Sequence, residues 1–142
     1  MHFIQANQDE GSRLAEIRAI AMKPGLEAVG RYDERRVRNR FLDTFMPADT
    51  WKIVLNHILV GFFAYRDNHD HLYLDHLYIH PDFQNQKIGR AVIAHLSRAA
   101  AEKMIPLRLG ALRNSPANHF YLSNGFKKIG EGEFDIFYEL IV

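Results

Sequence analysis

The chain has 142 residues, with 18 Lys and Arg against 17 Asp and Glu for a formal charge of +1, and no cysteine. One domain spanning residues 1–142 fits that length and can bury roughly two-thirds of the surface its unfolded chain exposes. Near-neutral charge argues against a nucleic-acid partner, and the lack of Cys excludes disulfides, thiolate nucleophiles and Cys-ligated zinc.

The segment Met1 to Glu10 has no basic stretch followed by a long apolar one, and nothing in the chain reaches the roughly 18 apolar residues of a membrane span, so a cytoplasmic protein without a membrane partner is expected. His2 to Ala6 reads as a first strand. Leu14, Ile17, Ile20 and Ala21 recur at helical spacing in a helix that Lys23-Pro24-Gly25 is expected to stop. Asp33 is the expected N-cap of a second helix carrying Val37, Phe41 and Phe45 on one face and ending at Met46-Pro47. Within it Glu34 and Arg38 are set for an i,i+4 ion pair. Trp51 to Leu55 and Ile58 to Arg66 form an expected hairpin about Asn56-His57, and Asp67 to Asp70 turns the chain into a strand from His71 to Ile79.

A polar stretch, Gln84-Asn85-Gln86-Lys87-Ile88-Gly89, follows His80-Pro81 and opens a long helix with Ile88, Ala91, Val92, His95, Leu96 and Ala99 on one face, reaching about Met104. Pro106 precedes a strand from Leu107 to Leu112 with one internal Gly. Ser115-Pro116 and Asn124-Gly125 bracket a short helix, and Phe126 to Ile129 with Phe134 to Ile141 close the chain as a second hairpin. Three strands therefore precede one strand-loop-helix unit. The first turn of a helix carries backbone N–H groups without intrahelical partners and the positive end of the macrodipole, so that unit is an anion-site candidate.

Two motifs carry a resemblance. Gln84-Asn85-Gln86-Lys87-Ile88-Gly89 follows the pattern Gln or Arg, two residues, Gly, one residue, Gly or Ala, with Lys87 at the first Gly position. Asn114, Ala117, Tyr121 and Gly125-Phe126 follow N-x-x-A-x-x-x-Y-x-x-x-G-F. Together with the strand from Leu72, these motifs resemble the GNAT superfamily of acyl-CoA-dependent N-acetyltransferases over roughly the C-terminal half of the chain. The resemblance implies a single α/β domain, with a central mixed, mostly antiparallel sheet, splayed where CoA enters, and about four helices. It implies acetyl-CoA as co-substrate, no metal, and direct transfer of an acetyl group to a primary amine.

Carried over residue by residue, the resemblance assigns the CoA pyrophosphate to Gln84, Asn85, Gln86, Lys87, Ile88, Gly89 and Arg90. Lys87 keeps a backbone N–H donor there, as every non-Pro residue does. Leu77, Tyr78 and Ile79 would offer backbone groups to pantetheine, Asn114 would contact the same arm, and Tyr121 would act as general acid to the leaving thiolate. A phenol suits that role, since its ordinary pKa of about 10 lets it donate without ionising. The base would lie on the same strand, with Asp75 the first candidate and His76 the second. Alternation places Tyr73, Asp75 and Leu77 on one face and Leu74, His76 and Tyr78 on the other.

In the family the first two helices and their loop commonly wall the acceptor site, which points to Arg31, Tyr32 and Arg35, with Tyr73, as acceptor-facing residues. Guanidinium groups there suit an acceptor with an anionic group. Each residue also has a plain structural role: an Arg run is usually a solvated helix face, and a Tyr a packed aromatic. A zinc site is not expected, because the eight His lack metal-ligand spacing. The rival to catalysis is a non-catalytic acyl-CoA-binding or sensing domain. Homodimers are frequent in the family, but no residue here specifies an interface.

Overall fold

The computed structural model describes Met1–Val142. Its strands are β1 (His2–Gln5), β2 (Thr50–Leu55), β3 (Ile58–Asp67), β4 (Leu72–Ile79), β5 (Leu107–Leu112), β6 (Lys127–Glu131) and β7 (Asp135–Leu140), and its helices α1 (Gly11–Ala28), α2 (Glu34–Leu42), α3 (Ile88–Glu102) and α4 (Ala117–Ser123). The seven strands form one sheet in the order β1-β2-β3-β4-β5-β7-β6. Pairs β1–β2, β2–β3, β5–β7 and β6–β7 are antiparallel and β4–β5 is parallel, so the sheet is mixed as expected. No helix is long and apolar enough to cross a membrane.

The chain divides into two compact units, one of Met1–Ala64 with His76–Ile88 and the other of Tyr65–Asp75 with Gly89–Val142. In the first, the β2–β3 hairpin turns on Asn56 and His57, both at positive φ (51° and 67°), the pairing that a two-residue turn matched to strand twist requires. Leu14, Ala15 and Ile17 of α1 pack with Phe41 of α2, Phe62 of β3 and Ala6 in one buried cluster. Asp33 caps α2 as expected, its carboxylate accepting from the N–H groups of Arg35 (3.0 Å) and Arg36 (2.8 Å).

Two local expectations are corrected. Helix α1 runs through Pro24-Gly25 to Ala28. Pro24 removes one donor, but Ile20, whose carbonyl loses that partner, is 44% exposed, so water can take the place of the missing N–H. The true stop is Gly30 at φ +68°: its N–H bonds Glu27 O (3.0 Å) and the N–H of Arg31 bonds Leu26 O (2.8 Å), the paired closure of a Schellman motif. The Arg38 guanidinium grips both carboxylate oxygens of Glu16 on α1 (2.8 and 3.0 Å) and takes only the backbone carbonyl of Glu34, so the i,i+4 pair does not form.

In the second unit, Leu72 and Leu74 of β4 pair with Leu107 and Leu109 of β5. These four side chains, Ala111, Phe126 and Tyr138, together with Val92, Leu96 and Ala100 of α3, are buried. Gly110 is a close-approach glycine: a Cβ there would lie 3.1 Å from the Phe137 ring and 3.2 Å from the Tyr73 hydroxyl. Helix α3 ends two residues short of Met104, which sits at φ +56° in the turn leading to Pro106.

In the first unit Glu10 bonds Lys52 of β2 at 2.8 Å and accepts from the Asn7 N–H at 2.7 Å, with both charged side chains under a fifth exposed. The Lys52 bond holds the Glu10 carboxyl below its ordinary value. A depressed folded-state pKa gives stability that is present above the unfolded value of about 4.3 and lost as pH falls through the folded value. Glu10→Gln is therefore expected to destabilise the protein by about 1–2 kcal/mol at pH 7. The difference from the unsubstituted chain should vanish on acidification, read from melting temperatures across pH.

Candidate functional site

The end of β4 and the loop after it belong to the first unit. Tyr78 O lies 2.3 Å from where a Cβ on Gly61 of β3 would stand, so Gly61 is what permits that strand approach. The His80 N–H continues the contact to Val60 O at 2.8 Å, and the Gln84 side chain donates to Ile79 O at 3.1 Å. Pro81–Phe83 form a single 3-10 turn capped by the His80 imidazole, which accepts from the Asp82 N–H at 3.1 Å. Gln84 to Lys87 are exposed, and Ile88 anchors the loop with a buried side chain.

Lys87 takes φ +62° and Asn85 φ +64°. Lys87 thus adopts the left-handed backbone at the position where the motif carries Gly. Asn visits this region readily; Lys does so at a cost of about 1–2 kcal/mol. Gly89 serves packing within the second unit, where a Cβ would meet the Phe120 ring at 3.1 Å.

The two base candidates adjoin in the chain but differ in environment. Asp75 is exposed and its carboxylate meets the Arg66 guanidinium at 3.1 Å. His76 is buried against Phe41 (5.3 Å between ring centres) and Phe62 (6.5 Å), and its Nδ1 lies 3.0 Å from the Tyr78 hydroxyl. That hydroxyl accepts from Arg18 Nε at 3.1 Å, and Arg18, buried on α1, also donates to Val37 O. Arg18 escaped the sequence reading. Its signal is an Arg four residues after Leu14, inside the apolar stripe of α1.

In the second unit Asn114, exposed at φ +73°, turns the chain from β5 toward α4. Helix α4 closes as α1 does: Gly125 (φ +91°) bonds Leu122 O at 3.2 Å and Phe126 N–H bonds Tyr121 O at 3.1 Å. Tyr121 and Phe126 are then the two residues whose side chains meet across a Schellman closure, here with ring centres 5.5 Å apart. The Y-x-x-x-G-F spacing is therefore helix-stop geometry that fixes a tyrosine. Tyr121 is 7% exposed and also contacts Phe120 and Tyr138. Asn118, a second residue missed in the sequence, braces this cluster by accepting from Tyr138 Oη (2.8 Å) and donating to the carbonyls of Leu112 and Ser115 (2.9 Å each).

A family model described as an acetyltransferase (GNAT) domain matches residues 47–128. The chain belongs to the GNAT family of acetyltransferases. Among solved structures, the fold resembles the PaiA N-acetyltransferase of Thermoplasma acidophilum, solved with coenzyme A (TM-score 0.82, 18% identity, 99% of this chain and 98% of that one). It also resembles a GCN5-related N-acetyltransferase of Rhodopseudomonas palustris (0.78, 19%, 99% and 95%) and a GNAT acetyltransferase of Staphylococcus aureus Mu50 (0.73, 21%, 97% and 96%). No curated protein matches the chain.

Of the acceptor-facing residues expected in this GNAT chain, Tyr32 lies under the Lys23 ammonium (5.4 Å to the ring centre), and Arg31 forms the α1 closure through its backbone. Arg35 lines a shallow depression of about 330 Å³ on α2 with Asp33, Arg36, Asn39, Arg40 and Asp43. Tyr73 is half-buried in the second unit, where burial, then the charges of Asp75 and Asp135, push its phenol pKa up.

The left-handed Lys87 yields a direct test. Lys87→Gly releases the backbone strain and costs part of that gain in unfolded-chain entropy, so a net stabilisation of about 0.5–1 kcal/mol is expected from denaturant melts. Lys87→Val, a β-branched residue at the same φ, should instead destabilise.

Proposed function

We propose that the chain transfers an acetyl group from acetyl-CoA directly to a primary amine of a small molecule or peptide, with no metal and no covalent enzyme intermediate. The observation that carries this reading is the backbone of the loop before α3. Lys87, at φ +62°, keeps the left-handed turn of the motif although it lacks the glycine. A phosphate cradle built from backbone N–H groups needs that conformation and not a particular side chain. The residues therefore fit an acyl-CoA, with Gln84 to Arg90 serving its pyrophosphate and the backbone of Leu77, Tyr78 and Ile79, with Asn114, serving its pantetheine arm.

Bound acetyl-CoA supplies an activated thioester. The chain's own contributions are positioning and proton handling. The Tyr121 phenol, held at the closure of α4 among Phe120, Phe126 and Tyr138, donates its proton to the departing sulfur. Asp75, exposed as a carboxylate beside Arg66, takes the ammonium proton of the acceptor through water. Arg31, Tyr32, Arg35 and Tyr73 would face the acceptor, which we assign an anionic group because Arg35 opens on solvent while Arg38 is spent on Glu16.

Tyr121→Phe keeps the ring packing and removes only the donor. It should lower kcat about a hundredfold while leaving KM for acetyl-CoA within about twofold, read by thiol release with a panel of amines. Acetyl-CoA at a hundred times its Kd should stabilise the unsubstituted protein by about 2.7 kcal/mol. Stabilisation without thiol release from any amine would favour a binding domain over an enzyme, and no stabilisation at millimolar acetyl-CoA would remove both.

A further inference from the structure

In the second unit burial alternates along β5: Leu107, Leu109 and Ala111 turn to the core, and Arg108, Gly110 and Leu112 to the outer face. Pairing sets Glu139, Phe137 and Asp135 of β7 opposite those three, and Tyr73 of β4 beside Arg108, on that same face. Its carboxylates differ in what they already hold. Glu139 bonds Arg108 at 2.7 Å, and Asp75, two residues after Tyr73, meets Arg66 at 3.1 Å. Asp135 is half-buried, with neither an ion pair nor a side-chain hydrogen bond within the protein. The Tyr73 side chain leans along the face toward it. Tyr73 pairs with Arg108, yet its hydroxyl reaches Gly110, two residues on, lying 3.2 Å from the place a Cβ would take. Phe137, 37% exposed, stands 3.1 Å from that same place. The Tyr73 hydroxyl, like Asp135, has no hydrogen-bond partner in the protein. Burial, then the charges of Asp75 and Asp135, raise its pKa, so the phenol stays neutral and keeps its hydrogen.

We propose that Asp135 and the Tyr73 hydroxyl, set beside Gly110, form the subsite that takes the acceptor's ammonium group, with Phe137 covering the methylenes next to it. Its role as an acceptor subsite rests on the acetyl-transfer reading above, whereas its choice of a cation rests on the side chains of this face. An alkylammonium brings three N–H donors and one positive charge. It gives a carboxylate without a cation its counter-ion and a phenol oxygen without a donor its hydrogen bond, and an aromatic ring beside it adds apolar contact and attraction for the charge. A neutral group of the same size supplies no charge for Asp135, and an anionic one meets repulsion. Asp75, the group that takes the ammonium proton, stands on the strand that carries Tyr73.

The probe is n-butylammonium, with n-butanol as its uncharged counterpart, added to the ligand-free protein whose tyrosines are labelled at the ring carbon bearing the hydroxyl. Tyr73→Phe assigns the signal. The expected result is a saturable shift of the Tyr73 signal with millimolar n-butylammonium and none with n-butanol. Asp135→Asn, which keeps the shape and removes the charge, should weaken that binding about fivefold and lower the Tyr73 pKa toward its ordinary value of about 10. In turnover the same variant should raise the KM of the amine about fivefold. Should Asp135→Asn fail to fold, Tyr73→Phe gives the second reading: n-butylammonium should raise its melting temperature less than that of the unsubstituted chain. Equal shifts from n-butanol and n-butylammonium, or an affinity that Asp135→Asn leaves unchanged, overturn the subsite. Binding of n-butylammonium by a protein that releases no thiol with any amine keeps the subsite and removes the acetyl-transfer reading. Thiol release with an amine KM that Asp135→Asn leaves within about twofold does the reverse.

Discussion

Residues held in the left-handed backbone region govern where the chain of this protein turns and where its helices stop. An L-residue pays about 1–2 kcal/mol to enter that region, so the chain does so only where the surrounding structure over-determines it. Gly30 and Gly125 end α1 and α4 by the same paired closure, Asn56-His57 turns the β2–β3 hairpin, Asn85 and Lys87 shape the loop before α3, and Asn114 turns the chain toward α4. Glycine stands at the two helix stops. Lysine stands in the loop, where its strain is local and its side chain is exposed. Gly would occupy the same backbone at residue 87 without that strain.

The second organising feature is burial of groups that carry a polar atom. Tyr121, His76, Arg18 and Thr50 are all under 10% exposed, and no buried side-chain polar atom lacks a hydrogen-bond partner. Full satisfaction matters because a buried polar group left alone costs several times what a made bond returns. It also restricts chemistry: each bond already made fixes which way a proton can move. Asn118 shows the purely structural form of this, since its amide bonds two carbonyls and its oxygen takes the Tyr138 proton, which clamps one ring of the cluster around Tyr121.

The fold was legible in the sequence wherever a pattern extended over many residues. Strand Leu107 to Leu112 was read to its end residues, the hairpin at Asn56-His57 and the cap at Asp33 followed from alternation and turn chemistry, and the mixed sheet followed from the family resemblance. What failed were choices between two local signals. Pro24-Gly25 is a strong stop, but Gly30 closes the helix with two backbone bonds. Glu34 was the sequence-near partner of Arg38, but Glu16 offers both oxygens to a planar fork, and bidentate geometry outweighs proximity along the chain. Tyr121 was singled out through the family motif, whose Y-x-x-x-G-F spacing the closure of α4 explains. Arg18 and Asn118 were not, because their partners Tyr78 and Tyr138 lie 60 and 20 residues away.

That long-range pairing gives Asp75 and His76, neighbours in the chain, different surroundings. By residue type, His is the better base near neutrality, since its ordinary pKa is about 6.5 against about 3.9 for Asp. Residue type alone leaves out what the neighbours do. A base must gain a proton without losing a bond it already makes. The His76 Nδ1 already has the Tyr78 hydroxyl 3.0 Å away, and that hydroxyl accepts from Arg18, whereas the Asp75 carboxylate stands exposed at the surface. The Arg66 contact of Asp75, at 3.1 Å and partly solvated, is of the exposed kind that contributes less than about 1 kcal/mol. Adjacent residues on one strand thus differ by what lies behind them: His76 turns to the core beside Phe41 and Phe62, and Asp75 turns to water beside Arg66.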